Sequence, residues 1–151
     1  MKRILMILVI ALGFVSSAFA FIDEYTISRD KLPEEAQTML NTYFPKAKIG
    51  MIKIDRHLLK KPDYEVRLTN GTTIEFRNNG KWKEVDCKSR PVPEGLIPKT
   101  ILRHVKKNYE DVTIVKIEKK SSGYILELSD DVELKYDHLG IFKGAKIDDD
   151  D

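Results

Sequence analysis

Cysteine is nearly missing from this chain: Cys87 is the only one in 151 residues. An exported domain with a single cysteine has no internal disulfide, so its core must hold by packing alone. Cys87 itself reads either as an inert thiol or as a site of intermolecular pairing. A dominant sign of charge is also lacking. The sequence carries 26 Lys and Arg against 24 Asp and Glu, and loss of Lys2 and Arg3 with an N-terminal signal leaves 24 against 24. A neutral chain has no global field to hold a polyanion, which argues against a nucleic-acid partner.

The motifs of catalysis are missing as well. His57, His104 and His138 stand apart, with no second His or Cys at metal-ligand spacing and no H-E-x-x-H pattern. There is no G-x-S-x-G elbow and no phosphate-cradling glycine loop. These absences predict a protein that is not an enzyme and that works by presenting a surface. Asn70-Gly71-Thr72 matches a glycosylation sequon, but its Asn and Gly are already explained by a turn.

The N terminus reads as a secretory signal. Lys2 and Arg3 precede an apolar stretch from Ile4 to Val15, and Ala18 and Ala20 supply small residues at −3 and −1. Cleavage is expected after Ala20. The apolar stretch is short for a bilayer, so no membrane span is expected after cleavage. The mature chain would begin at Phe21, not at a cysteine, so the usual lipoprotein anchor is not predicted.

The rest of the sequence resembles itself. Leu32-Pro33, Ile49 and Ile52 recur as Ile97-Pro98, Ile114 and Ile117 at an offset of 65; Tyr64, Leu68, Gly80 and Lys83 recur as Tyr124, Leu128, Gly140 and Lys143 at an offset of 60. The five-residue change falls at Arg56 to Pro62, a polar stretch of the kind a surface loop tolerates. This predicts a signal peptide at 1–20, a lead-in at 21–30, a first repeat at 31–87, a linker at 88–96, a second repeat at 97–147 and an acidic tail at 148–151. Each repeat opens on a helix: Leu32, Ala36, Met39, Leu40, Tyr43 and Phe44 form one apolar stripe, and Ile97, Ile101, Leu102, Val105 and Tyr109 another. Four strands follow in each. Tyr64, Val66 and Leu68 alternate with polar residues, as do Ile74 and Phe76, then Tyr124, Leu126 and Leu128, then Val132, Leu134 and Tyr136. The expected fold is α+β: a tandem repeat of one helix and a four-stranded antiparallel meander, with the helices on one face of the sheet.

Turn chemistry sharpens the register. A two-residue turn at Asn70-Gly71 would set Ile74 opposite Arg67, on the wrong face. A three-residue loop, Thr69 to Gly71, pairs Tyr64 with Phe76 and Val66 with Ile74, and places Gly71 in the left-handed position. Asn78 to Gly80 repeats the device and brings Phe76 against Trp82. In this register Glu65 faces Glu75 and Glu127 faces Glu133 on the open face of the sheet. Like charges directly opposed cost some tenths of a kcal/mol. They persist either because Arg67, Lys83 and Lys135 interleave or because a cation or a basic partner meets them. Glu65, Arg67, Glu75, Glu127, Glu133 and Lys135 are therefore the candidate partner-binding residues. Asp130 and Asp131 at a hairpin tip, and Asp148, Asp149 and Asp150 in the tail, are candidate oxygen ligands for Ca²⁺, although no EF-hand loop occurs.

The Leu32-Pro33 start, the Phe44-Pro45 stop, Tyr64-Glu65-Val66, the run from Asn70 to Phe76 and the run Asn79-Gly80-Lys81-Trp82-Lys83-Glu84-Val85 together resemble the PepSY-like, β-lactamase-inhibitor-like family of secreted bacterial proteins. The resemblance covers the mature chain. It departs in the second half, where Asp130-Asp131 replace Asn-Gly and Phe142 replaces Trp. It implies a fold like that of β-lactamase inhibitor proteins and periplasmic binding or inhibition with a calcium link; the flat, mixed-charge sheet face in turn points to a protein or peptide as the partner. The resemblance brings no catalytic residues and no cofactor other than that Ca²⁺.

Overall fold

The computed structural model describes residues 23–56 and 61–147. The cleavage site after Ala20, His57, and the tail aspartates Asp148, Asp149 and Asp150 lie outside them. The described chain is mostly sheet. Nine strands run in order β1 (Glu24–Thr26), β2 (Ile49–Asp55), β3 (Asp63–Leu68), β4 (Thr73–Phe76), β5 (Trp82–Asp86), β6 (Ile114–Lys120), β7 (Gly123–Leu128), β8 (Val132–Asp137) and β9 (Phe142–Ile147). Two short helices interrupt them, α1 (Glu34–Tyr43) and α2 (Lys99–Asn108). None of the described helices is long and apolar enough to cross a membrane.

This corrects the expected layout of two units, each a helix with its own four-stranded meander. All nine strands form one antiparallel sheet in the order β1 to β9. The join is β5 on β6, with Glu84 opposite Glu118, Val85 opposite Ile117 and Asp86 opposite Lys116. The physical reason is edge satisfaction. A four-stranded meander ending at β5 would leave a row of unpaired N–H and C=O groups, and β6 supplies their partners. The lead-in also departs from its reading as unpatterned chain: Glu24, Tyr25 and Thr26 add a strand against Ile54, Lys53 and Ile52.

Locally the elements follow from their residues. Pro33 stands at the N-cap of α1, with Glu34 and Glu35 beside the positive end of the helix dipole, and Phe44 caps the far end just before Pro45. The hairpins hold the argued registers. Tyr64 faces Phe76, Val66 faces Ile74, and Tyr124 faces Tyr136. Gly71 and Gly80 lie at φ 89° and 81°, each donating its N–H to the carbonyl three residues before, Leu68 and Arg77. Both helices lie on one face. Ala36, Leu40, Ile101 and Val105 share a single core with Ile52, Val66, Ile74, Val85, Ile117, Leu126 and Leu134. The opposite face carries no described helix.

Candidate functional site: the uncovered sheet face

Strand register decides which side chains meet on this face. One row crosses all nine strands: Tyr25, Lys53, Glu65, Glu75, Glu84, Glu118, Ile125, Lys135 and Gly144. Four glutamates stand side by side at its centre. A second row, two residues along each strand, runs Met51, Arg67, Thr73, Asp86, Lys116, Glu127, Glu133 and Lys146. All six sequence-derived candidates, Glu65, Arg67, Glu75, Glu127, Glu133 and Lys135, therefore fall in two adjacent rows of one surface.

Opposed carboxylates must be offset, and the interleaved cations do this. Arg67 Nε donates to Glu65 at 2.5 Å, Lys83 Nζ to Glu75 at 2.7 Å, and Lys116 Nζ lies 3.2 Å from Glu84. Lys120 approaches Glu118 at 3.3 Å, while Lys135 and Lys146 reach the same Glu133 oxygen at 3.6 and 3.7 Å. The hydrogen bond to Glu75 raises the Lys83 pKa above the ordinary lysine value, against the opposing effect of burial. At Lys116 burial works against the charge, but Glu84, with Asp86 and Glu127, outweighs it and the pKa also rises. The Glu84 and Glu133 side chains keep only 20% and 17% of their exposure. Carboxylates so enclosed, each fixed by a lysine, form an ordered polar surface rather than a loose charged fringe.

Glu84, Glu118, Asp86 and Lys116 were not among the sequence candidates. Their alternation within β5 and β6 puts them on the polar face. The β4–β5 hairpin sets Glu84 beside Glu75, but what brings it beside Glu118 is the pairing of β5 with β6 across residues 87–113. No turn residue announces that pairing.

The calcium candidates are placed only in part. Asp130 and Asp131 are exposed at the β7–β8 tip, where Asp131 holds φ 62°. Among the described residues no group of three or more His, Cys, Asp and Glu is arranged to hold a metal ion. His104 packs rather than ligates: its Nδ1 lies 2.8 Å from the Tyr136 hydroxyl, and its ring stacks on Phe142 at 4.7 Å. Burial pushes the Tyr136 phenol well above its ordinary pKa. His138 is exposed in the β8–β9 turn, and Cys87 is buried.

This sheet has known counterparts. A putative periplasmic protein of unknown function from Bacteroides vulgatus is 36% identical, with a TM-score of 0.78 over 83% of this chain and 99% of that one. A putative calcium-regulated periplasmic protein from Bacteroides thetaiotaomicron is 34% identical, with a TM-score of 0.77 over 82% and 96%. A second putative periplasmic protein from B. vulgatus, of the DUF2874 family, is 33% identical, with a TM-score of 0.75 over 86% and 99%. No curated protein matches the chain. Residues 62–144, more than half of the sequence and a single span from β3 to β9, match the family described as "Putative beta-lactamase-inhibitor-like, PepSY-like". The chain belongs to this PepSY-like family.

Proposed function

We propose that this is a non-enzymatic periplasmic binding protein that holds a protein or peptide partner on the uncovered sheet face and, through that contact, inhibits or restrains it. One observation carries the reading: a nine-stranded sheet whose helix-free face presents four glutamates in one row, ordered by interleaved lysines and arginine. A broad face of fixed, alternating charge suits a protein surface of complementary pattern. Small molecules favour concave apolar pockets instead. The absence of catalytic motifs in the sequence and the periplasmic description of the similar proteins support the same reading.

The test is capture from a cell-envelope extract with the whole protein, compared with a variant in which Glu65, Arg67, Glu127 and Lys135 are all alanine. Partners held by the wild type should be lost from the variant while its fold, followed by circular dichroism, is retained. Equal capture by both forms would remove the face from consideration.

A second reading, calcium responsiveness, is favoured by the description of the B. thetaiotaomicron protein as calcium-regulated. Here the ligands would come either from Asp130 and Asp131 at the hairpin tip or from the tail residues Asp148, Asp149 and Asp150. A cation that binds only the folded chain raises its apparent stability. A melting temperature that does not move in millimolar Ca²⁺ at fixed ionic strength would exclude a folding-linked site.

A further inference from the structure

The helix-bearing side of the sheet has a groove of about 420 Å³ alongside α1. Its apolar lining comes from Met39 and Tyr43 of α1, Trp82 of β5 and Leu96 of the turn before α2. Lys81 and Lys119 bring charge to it. Met39 and Leu96 are buried and Trp82 is half-buried, so the lining belongs to the fixed core rather than to a mobile fringe.

Lys119 is unusual among the lysines of this sheet. Its ammonium sits 3.5 Å from the centre of the Trp82 ring, and among the described residues no carboxylate pairs with it. Its charged neighbours have the same sign: Arg77, whose guanidinium donates to the Lys119 carbonyl at 3.2 Å, and Lys81. Burial first, then Arg77 and Lys81, push the Lys119 pKa below the ordinary lysine value. A ring face engages an ammonium from one side only and leaves donors over. Most lysines of the opposite face have carboxylate partners, whereas Lys119 is half-buried beside two other cations, a setting whose electrostatics favour an anion.

The charge balance limits which anion fits. Lys81 and Lys119 line the groove against one carboxylate, the exposed Glu35, with Arg77 behind. The groove therefore carries a positive surplus at the Lys119 end, which suits a carboxylate. The apolar lining asks for an aliphatic or aromatic body attached to that anion.

We propose that this groove binds an apolar ligand by its carboxylate, an acylated amino acid or the free C-terminus of a peptide ending in a large apolar residue. The apolar group lies on Trp82, Tyr43 and Met39, and the carboxylate replaces the missing partner of Lys119, with Lys81 assisting. The site is separate from the glutamate rows, which lie on the other face of the sheet.

Trp82 is the only tryptophan in the sequence, so its emission reports on the groove directly. The whole protein is titrated with N-acetyl-leucine, with the tripeptide Ala-Ala-Leu and with N-acetyl-leucine amide. Amide shifts of Thr38, Gly80 and Leu96 are followed by NMR as a second readout. A saturable response to either acid, at least about tenfold weaker for the amide and for Lys119→Met, is the expected result. Lys81→Gln, on an exposed turn, should weaken binding severalfold and serves if Lys119→Met does not fold. Tighter binding of the tripeptide would identify a chain end as the ligand; tighter binding of N-acetyl-leucine, a free acylated amino acid. No saturable response to either acid, an amide that binds as well as the acid, or variants that bind like the wild type would overturn the proposal. The four-alanine variant of the opposite face should bind these probes unchanged, so failure there and failure here are told apart.

Discussion

Gly71 and Gly80 occupy the same backbone conformation in two very different surroundings, and this separates backbone strain from steric exclusion. At Gly71 (φ 89°) an added Cβ would meet nothing within 4 Å. At Gly80 (φ 81°) it would lie 2.9 Å from Pro33 Cβ, 3.0 Å from the Ala36 nitrogen and 3.1 Å from Glu35 Cβ, all at the start of α1. Forcing an L-residue into the left-handed region costs about 1–2 kcal/mol. Gly71→Ala should therefore lose about 1 kcal/mol, and Gly71→Val somewhat more, since a β-branched side chain is worse there. Gly80→Ala carries the same strain plus an overpacking cost of about 1–3 kcal/mol, because α1 must move away from the turn. Its total is about 2–4 kcal/mol. For a chain near 150 residues each kcal/mol lowers the melting temperature by about 2–4 °C. Gly71→Ala should then melt a few degrees below wild type and Gly80→Ala at least about 4 °C below. Urea unfolding checks both, with an unchanged slope showing that the native state has stayed compact. A Gly80→Ala protein no less stable than Gly71→Ala would refute the claim that the β4–β5 turn holds the start of α1. A neutral Gly71→Ala would refute the three-residue loop.

Other outcomes follow from single sites. Asp131 holds φ 62° at the β7–β8 tip, so Asp131→Gly should raise the urea midpoint slightly; Asp131→Asn, which changes charge and keeps the side-chain size, separates strain from repulsion. The Asp137 carboxylate accepts from the Ile141 and Leu139 amides at 2.9 and 3.0 Å and pairs with Lys143, and these contacts, the Ile141 bond foremost, hold its pKa below the usual carboxylate value. Because the folded pKa is the lower one, its contribution is present above the unfolded value of about 4 and fades as the pH falls through the folded one. Asp137→Asn should therefore be less stable than wild type at neutral pH, and the gap in thermal melts should close as acid is added. Cys87 is 2% exposed, and burial pushes its thiol pKa up, with the Thr72 hydrogen bond opposing. Its reaction with an aromatic disulfide reagent should be slow in the native protein and fast in denaturant; comparable rates would mean that the thiol is accessible.

The elements that could be read from the sequence are those whose geometry is set within a few residues. The stripe from Leu32 to Phe44 makes a helix with one buried face, and the period of two in Tyr64, Val66 and Leu68 fixes which side of β3 meets the core. Each hairpin register follows from its turn, since sliding by one residue would expose Ile74 or Leu134 and bury a charge. Facing Glu65 with Glu75 and Glu127 with Glu133 needed nothing more than this.

What the tertiary structure alone decided involves residues far apart in the chain. The lead-in offered no period, yet Glu24 to Thr26 form a strand because β2 has a free edge to pair. Between β5 and β6 lie residues 87–113, so no turn dictates Glu84 opposite Glu118. That register is chosen by closing two sheet edges while Val85 and Ile117 remain under the helices. The same non-local pairing turned two expected units into one nine-stranded sheet, added Glu118 to the row of Glu65, Glu75 and Glu84, and carried Lys119 of β6 over Trp82 of β5. By itself, the sequence determined which face of each strand is apolar and where each hairpin turns, because side-chain alternation and turn backbone are local properties. Which strands become neighbours across a long connection depends on burying the most apolar surface and leaving the fewest unpaired backbone groups, and only the folded chain as a whole satisfies both.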